Sequence, residues 1–155
     1  MVFKFNTSKW PVVYFYSDEN EVNDEIFESY KINYLNLLIK CKKEKIKMIF
    51  ISDLNTKYSL PVKYVIKQAM FNKKINNFNK LYVAAVCIYC KNKSFKNILN
   101  MYFTITKPES PYKLCTSLEK ITNFLKDKIK YNFDASVFSN VREYNEDIDI
   151  ENKSL

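Results

Sequence analysis

Glycine and histidine are both absent from this 155-residue chain. Without glycine the GxGxxG dinucleotide loop, the GxxxxGK(S/T) phosphate loop and the GxSxG nucleophile elbow are excluded, because each needs backbone angles or close approaches that a Cβ blocks. Without histidine there is no Ser-His-Asp or Cys-His pair, no HExxH zinc helix and no imidazole haem ligand. Arginine is nearly missing too: Arg142 stands against 24 lysines. Lysine acts as a point charge, whereas guanine edges and phosphates are matched by the arginine fork, so the basic balance alone does not indicate sequence-specific nucleic-acid reading. No apolar run reaches the roughly 18 residues that a membrane span needs.

What is present is an ordinary apolar share, 47%, with 16% aromatic residues and a net charge of +8. Lys, Asn, Ile, Tyr and Phe have AT-rich codons, so an AT-rich genome accounts for much of this basic, glycine-free composition. The length suits one core. Charge divides the chain near Lys130: residues 1–130 carry a net +12 and residues 131–155 a net −4. The expected organisation is an α/β domain over 1–130 followed by an acidic, partly disordered tail over 131–155, in which Val137, Phe138 and Val141 can dock as a short helix. The start, Met1-Val-Phe-Lys-Phe5, alternates at strand period and holds no apolar stretch of the signal-peptide kind. Cys41, Cys87, Cys90 and Cys115 need no disulfide framework in a chain of this size, and the expected location is cytoplasmic.

Hydrophobic periodicity gives the elements. Trp10 to Tyr16 reads as a strand behind an edge proline, in which Tyr14 and Tyr16 alternate with Val13 and Phe15, so one pair can face solvent and stack bases, although packing within the strand layer is the commoner fate. Asp24, Glu25 and Glu28 open a helix with apolar positions Phe27, Tyr30, Tyr34, Leu38 and Cys41, closed by Lys40, Lys42 and Lys43 in the charge order the helix dipole favours. Ile46 to Asp53 is apolar and β-branched, as in a strand covered on both faces. Pro61 starts a second helix striped by Val62, Val65, Ile66, Ala69 and Met70. Asn76 and Asn77 can supply a left-handed turn, and Leu81 to Cys90 reads as the central strand. A third helical stripe, Phe95 to Tyr102, a short strand at Tyr112 to Cys115 and a fourth helix capped at Ser117 complete the set. The predicted fold is a single-domain α/β arrangement, a mixed, mainly parallel sheet flanked by about four helices.

Several residues carry candidate chemistry, each beside a plainer role. Asp53 ends a buried strand where open α/β sheets place ligands, and it also suits a loop cap that accepts backbone N–H bonds. Cys87 and Cys90 spell CxxC, but a spacing of three along a strand turns them to opposite faces, so both are expected in the core and no metal or cofactor is expected. Lys40, Lys42, Lys43 and Lys45 can meet phospholipid headgroups or nucleic acid, or simply solvate a helix end.

The order of elements, with Ser52-Asp53-Leu54 ending a buried strand, Pro61 through Asn72 as the next helix and the stretch from Pro108 to Leu125, resembles STAS domains of the stand-alone, anti-sigma-factor-antagonist-like type. The resemblance covers roughly Trp10 to Asp127. It implies a non-catalytic module that docks another protein through the loop and helix start after the third strand, with Asp53, Asn55, Tyr58, Ser59 and Leu60 at the contact. It also implies Ser59 as the phosphoacceptor, although Leu60-Pro61 replaces the family's serine-glycine. Homo-oligomerisation is compatible with either partner class, protein or anionic surface.

Overall fold

The computed structural model describes residues 3–18, 22–55, 61–92 and 95–141. A hairpin opens the chain: β1 (Phe3–Lys9) runs antiparallel to β2 (Val12–Ser17), pairing Phe5 with Phe15. β3 (Met48–Asp53), β4 (Val83–Tyr89) and β5 (Tyr112–Cys115) then add in sequence order, each parallel to the last. The five-stranded sheet is therefore ordered β1-β2-β3-β4-β5, a mixed sheet that is mainly parallel, as the sequence predicts.

That order dictates where the helices lie. Every parallel step needs a crossover, crossovers are right-handed, and all three steps go the same way across the sheet, so their helices share one face. These are α1 (Asp24–Glu44), α2 (Val62–Lys74) with α3 (Asn76–Tyr82), and α4 (Phe95–Ile105). Among the described residues, α5 (Leu118–Ile129) and a 3-10 turn at Ala135–Phe138 remain for the opposite face. Strand alternation feeds both sides: Val13, Phe15 and Phe50 pack under α1 with Phe27, Tyr30, Tyr34 and Leu38, while Val12, Tyr14, Ile51 and Cys87 pack under Ile121, Leu125, Ala135 and Phe138. The second core thus includes residues beyond Lys130, and Phe138 stacks on Tyr14 with ring centroids 4.4 Å apart.

Local signals explain the helix ends. Asn23 caps α1 by accepting from the Ile26 amide at 2.8 Å, and Ser117 caps α5 by accepting from Lys120 at 3.2 Å. Both helices end on a lysine in the left-handed conformation, Lys45 (φ 57) and Lys130 (φ 56), where most proteins would place glycine.

The structure departs from the sequence expectations at the start of β3, at Asn76 and Asn77, and in the length of β1. β3 begins at Met48 rather than Ile46, because the Ile46 amide is taken by the Cys41 carbonyl at the exit of α1. Asn76 and Asn77 form no left-handed turn; they open α3, a fifth helix that absorbs Leu81 and Tyr82 and delays β4 to Val83. Tyr14 and Tyr16 take the commoner fate and pack, α5 and the 3-10 turn covering their side of β2. β1 extends to Lys9 and covers the outer edge of β2. Among the described residues, no helix is long and apolar enough to cross a membrane.

Candidate functional site

The loop after β3 is built around a buried carboxylate. Asp53 is 4% exposed and accepts from the Tyr14 hydroxyl, from the Asn55 backbone amide at 2.8 Å and from the Asn55 side-chain amide at 3.0 Å. Asn55 in turn accepts from the Lys91 amide at 2.7 Å and ties this loop to the end of β4. Asp53 and Asn55 therefore sit together at the carboxyl end of the sheet with their polar atoms turned to structural partners, the loop-cap role. Tyr58, Ser59 and Leu60 lie outside the described residues.

The four lysines lie on the last turn and exit of α1, all exposed. Lys40 rests over the Trp10 ring, 4.6 Å from its centroid, and the Trp10 indole donates to Glu44 at 2.8 Å. Among the described residues, Lys42, Lys43 and Lys45 enter no ion pair. All three sit at the negative end of a 21-residue helix, which accounts for their placement.

All four thiols are free and buried, Cys87 in the core under α5 and Cys90 just past the end of β4. Burial pushes each thiol's pKa up, away from the thiolate that nucleophilic or metal chemistry requires. Among the described residues no three His, Cys, Asp or Glu side chains converge as a metal group.

A further candidate site has no single signal in the sequence. α4 packs chiefly along α2 instead of lying down on the strands, and the space beneath it is a cavity of about 130 Å³. Its floor is the sheet, through Phe50, Ser52 and Leu54 of β3 and its exit and Val86 and Ile88 of β4. Its walls are Phe95, Ile98, Leu99 and Tyr102 of α4 and Val65, Gln68 and Asn72 of α2. Tyr30, Tyr34, Asn76, Asn79 and the segment Lys107 to Ser110 complete the lining away from the sheet. The exposed Lys107 and Glu109 stand at the rim, where Glu109 holds Asn76 at 2.8 Å and Lys80 at 3.6 Å.

The interior of this cavity is apolar with a belt of uncharged hydrogen-bonding groups. Tyr34 donates to Asn79 at 2.6 Å, Asn79 donates to Asn72 at 3.4 Å, and Asn72 donates to the Tyr102 hydroxyl at 2.5 Å. Gln68 donates to the Tyr30 hydroxyl at 3.2 Å. Desolvation holds the phenols of Tyr30 and Tyr34 well above the usual tyrosine range and that of Tyr102 up to about 12, so all three are neutral hydroxyls. Tyr30 and Tyr34 were legible as an apolar stripe, but their hydroxyls were not. The readable trace was Gln68, Asn72, Asn76 and Asn79, amides at three- and four-residue spacing beside the apolar stripe of α2.

No protein-family profile, curated protein or solved structure matches the chain.

Proposed function

We propose that this protein is a non-catalytic binding module whose site is the cavity between α4 and the sheet. The observation that carries the reading is the lining itself: a pocket of benzene-like size whose buried polar groups are phenols and amides. These groups orient a ligand but do not exchange protons with it near neutral pH, and the buried thiols offer no activated nucleophile. The absence of histidine, and with it of Ser-His and Cys-His pairs, supports the same reading.

Docking of another protein at the carboxyl end of the sheet is a second reading. It is favoured by the position of Ser52 and Leu54, which line the cavity just before the chain enters the loop bordering α2. The likeness to stand-alone STAS domains belongs with that reading, supported by the element order and by Asp53 at the end of β3.

A fragment screen followed by amide chemical shifts tests the first reading. Hits are expected to move resonances of Val65, Val86 and Leu99, and to lose binding in Ile98→Trp, whose indole fills the cavity from a half-buried position. Absence of any fragment that shifts these residues overturns the cavity as the site.

A further inference from the structure

The hydrogen bonds of the cavity do not balance. Tyr30 is 3% exposed, and its oxygen accepts from Gln68 while its own proton meets no acceptor among the described residues. If the Gln68 amide is turned over, the tyrosine proton is satisfied and the amide hydrogens are left over instead, so a surplus donor persists in either orientation. Tyr102 repeats the pattern: it accepts from Asn72, whose oxygen is already taken by Asn79, and its proton has no described acceptor. The Ser52 hydroxyl on the floor also has no described partner. The cost is greatest at the buried Tyr30, while Tyr102 and Ser52 are half-buried, and together these hydroxyls favour a group that supplies a lone pair over one that does not.

Charge narrows the class. Among the described residues no cationic side chain lies among the phenols, Lys107 being out at the exposed rim, so an anion in the interior would lose its hydration with no described counter-charge beside it. A cation would likewise lose its hydration with no described carboxylate beside it, Glu109 being confined to the rim. The apolar walls from Leu99, Val86 and Ile88 suit a flat or compact hydrocarbon body.

We propose that the cavity takes an uncharged carbonyl compound of about single-ring size, its carbonyl oxygen accepting from Tyr30 and Tyr102 and its body lying against Val86 and Leu99. This rests on the reading of the cavity as the binding site, and it adds the ligand's chemistry. An amide satisfies it most fully, because its N–H hydrogens can reach the Gln68 oxygen, which accepts from no described residue.

Four probes of one shape test the class: benzamide, benzoate, benzylamine and toluene, titrated at pH 7 with chemical shifts as the readout. Benzamide is expected to bind at least about tenfold tighter than toluene and far tighter than either ion. Tyr102→Phe is expected to weaken benzamide about three- to tenfold while leaving toluene unchanged, a split that general loosening of the fold would not give. Tyr30→Phe, which removes the other hydroxyl and keeps the ring, provides the same comparison if Tyr102→Phe proves unstable. Benzoate or benzylamine binding as tightly as benzamide, or toluene matching it, overturns the ligand class while leaving the cavity as a site. Failure of all four probes, together with an empty fragment screen, overturns the cavity reading itself.

Discussion

The hydroxyl of Tyr34, on the central turns of α1, donates to the side-chain oxygen of Asn79 on α3 at 2.6 Å. This bond crosses from the longest helix to the shortest and fixes the end of the cavity that the sheet does not close. α3 has no side-chain cap at its start and buries none of its own residues, so its place depends on such ties and on Ile75 just before it. Tyr34→Phe keeps the ring against Phe50 and Phe71 but leaves the Asn79 oxygen without its donor. A loss of about 1–2 kcal/mol is expected in urea unfolding, with faster amide exchange over Asn76–Tyr82. Unchanged exchange in α3 would show that the bond does not hold the helix.

Asp53 offers a sharper case, because its side chain separates two roles. As the cap of the loop after β3 it accepts from Tyr14 and twice from Asn55, all inside the fold. Asp53→Ala strands those donors, and a loss of about 2–4 kcal/mol is expected, with Tyr14→Phe costing about 1.5–3 kcal/mol because one partner is a carboxylate. The two changes should be far from additive, since each removes the same bond. A stable Asp53→Ala protein would mean that the carboxylate serves a partner and not the loop.

The contrast between these two sites shows what a linear reading reaches. Asp53 is legible because a polar residue after an apolar run is a local signal, and the mixed, mainly parallel sheet follows from strands alternating with amphipathic helices. The cavity escaped because it arises from where a helix does not go. Phe95, Leu99 and Tyr102 have the spacing of a stripe that covers a sheet, yet α4 leans on α2, and only the tertiary arrangement reveals the gap. The misjudged turn at Asn76 and Asn77 has a similar origin. Asparagine is the usual substitute for glycine in left-handed turns, but here both residues are helical, and the left-handed positions fell to two lysines that carry no such signature.

Those lysines yield a prediction in the stabilising direction. Lys130 ends α5 at φ 56, a conformation that costs an L-residue with a Cβ and costs glycine nothing. Lys130→Gly is expected to raise stability by about 0.5–1 kcal/mol, after allowing for the extra freedom glycine gives the unfolded chain. Lys130→Ala should give none of this gain, because alanine keeps the Cβ. Thermal unfolding of the three proteins side by side checks the order.

Stability should be nearly independent of pH across the neutral range and fall on both sides of it. No histidine is present to titrate between about pH 5 and 8. On the acid side, the ammonium of Lys67 and the hydroxyl of Tyr64 hold the Asp24 carboxyl below its ordinary 3.8, and Ser136 does the same for Asp134. A lowered carboxyl pKa stabilises above the unfolded value and loses that contribution as pH falls through the folded one, so a modest decline is expected below about pH 4; both groups are exposed, which keeps it small. On the alkaline side the sign reverses. Burial raises Cys87 and Cys115 above the ordinary thiol value of 9.0, and raises Tyr102 from 10.0 to about 12. Groups held neutral in the fold stabilise fully below their unfolded pKa and lose that contribution as pH climbs toward the folded one. The melting temperature is therefore expected to stay level to about pH 8.5 and then fall, first as thiols ionise in the unfolded chain and above pH 10 as phenols do. Tyr102→Phe should be less stable than the parent at pH 7, yet lose less between pH 10 and 12, because it removes one of the phenols that drive the decline. Parallel alkaline limbs for the two proteins would show that Tyr102 is not held neutral by its surroundings.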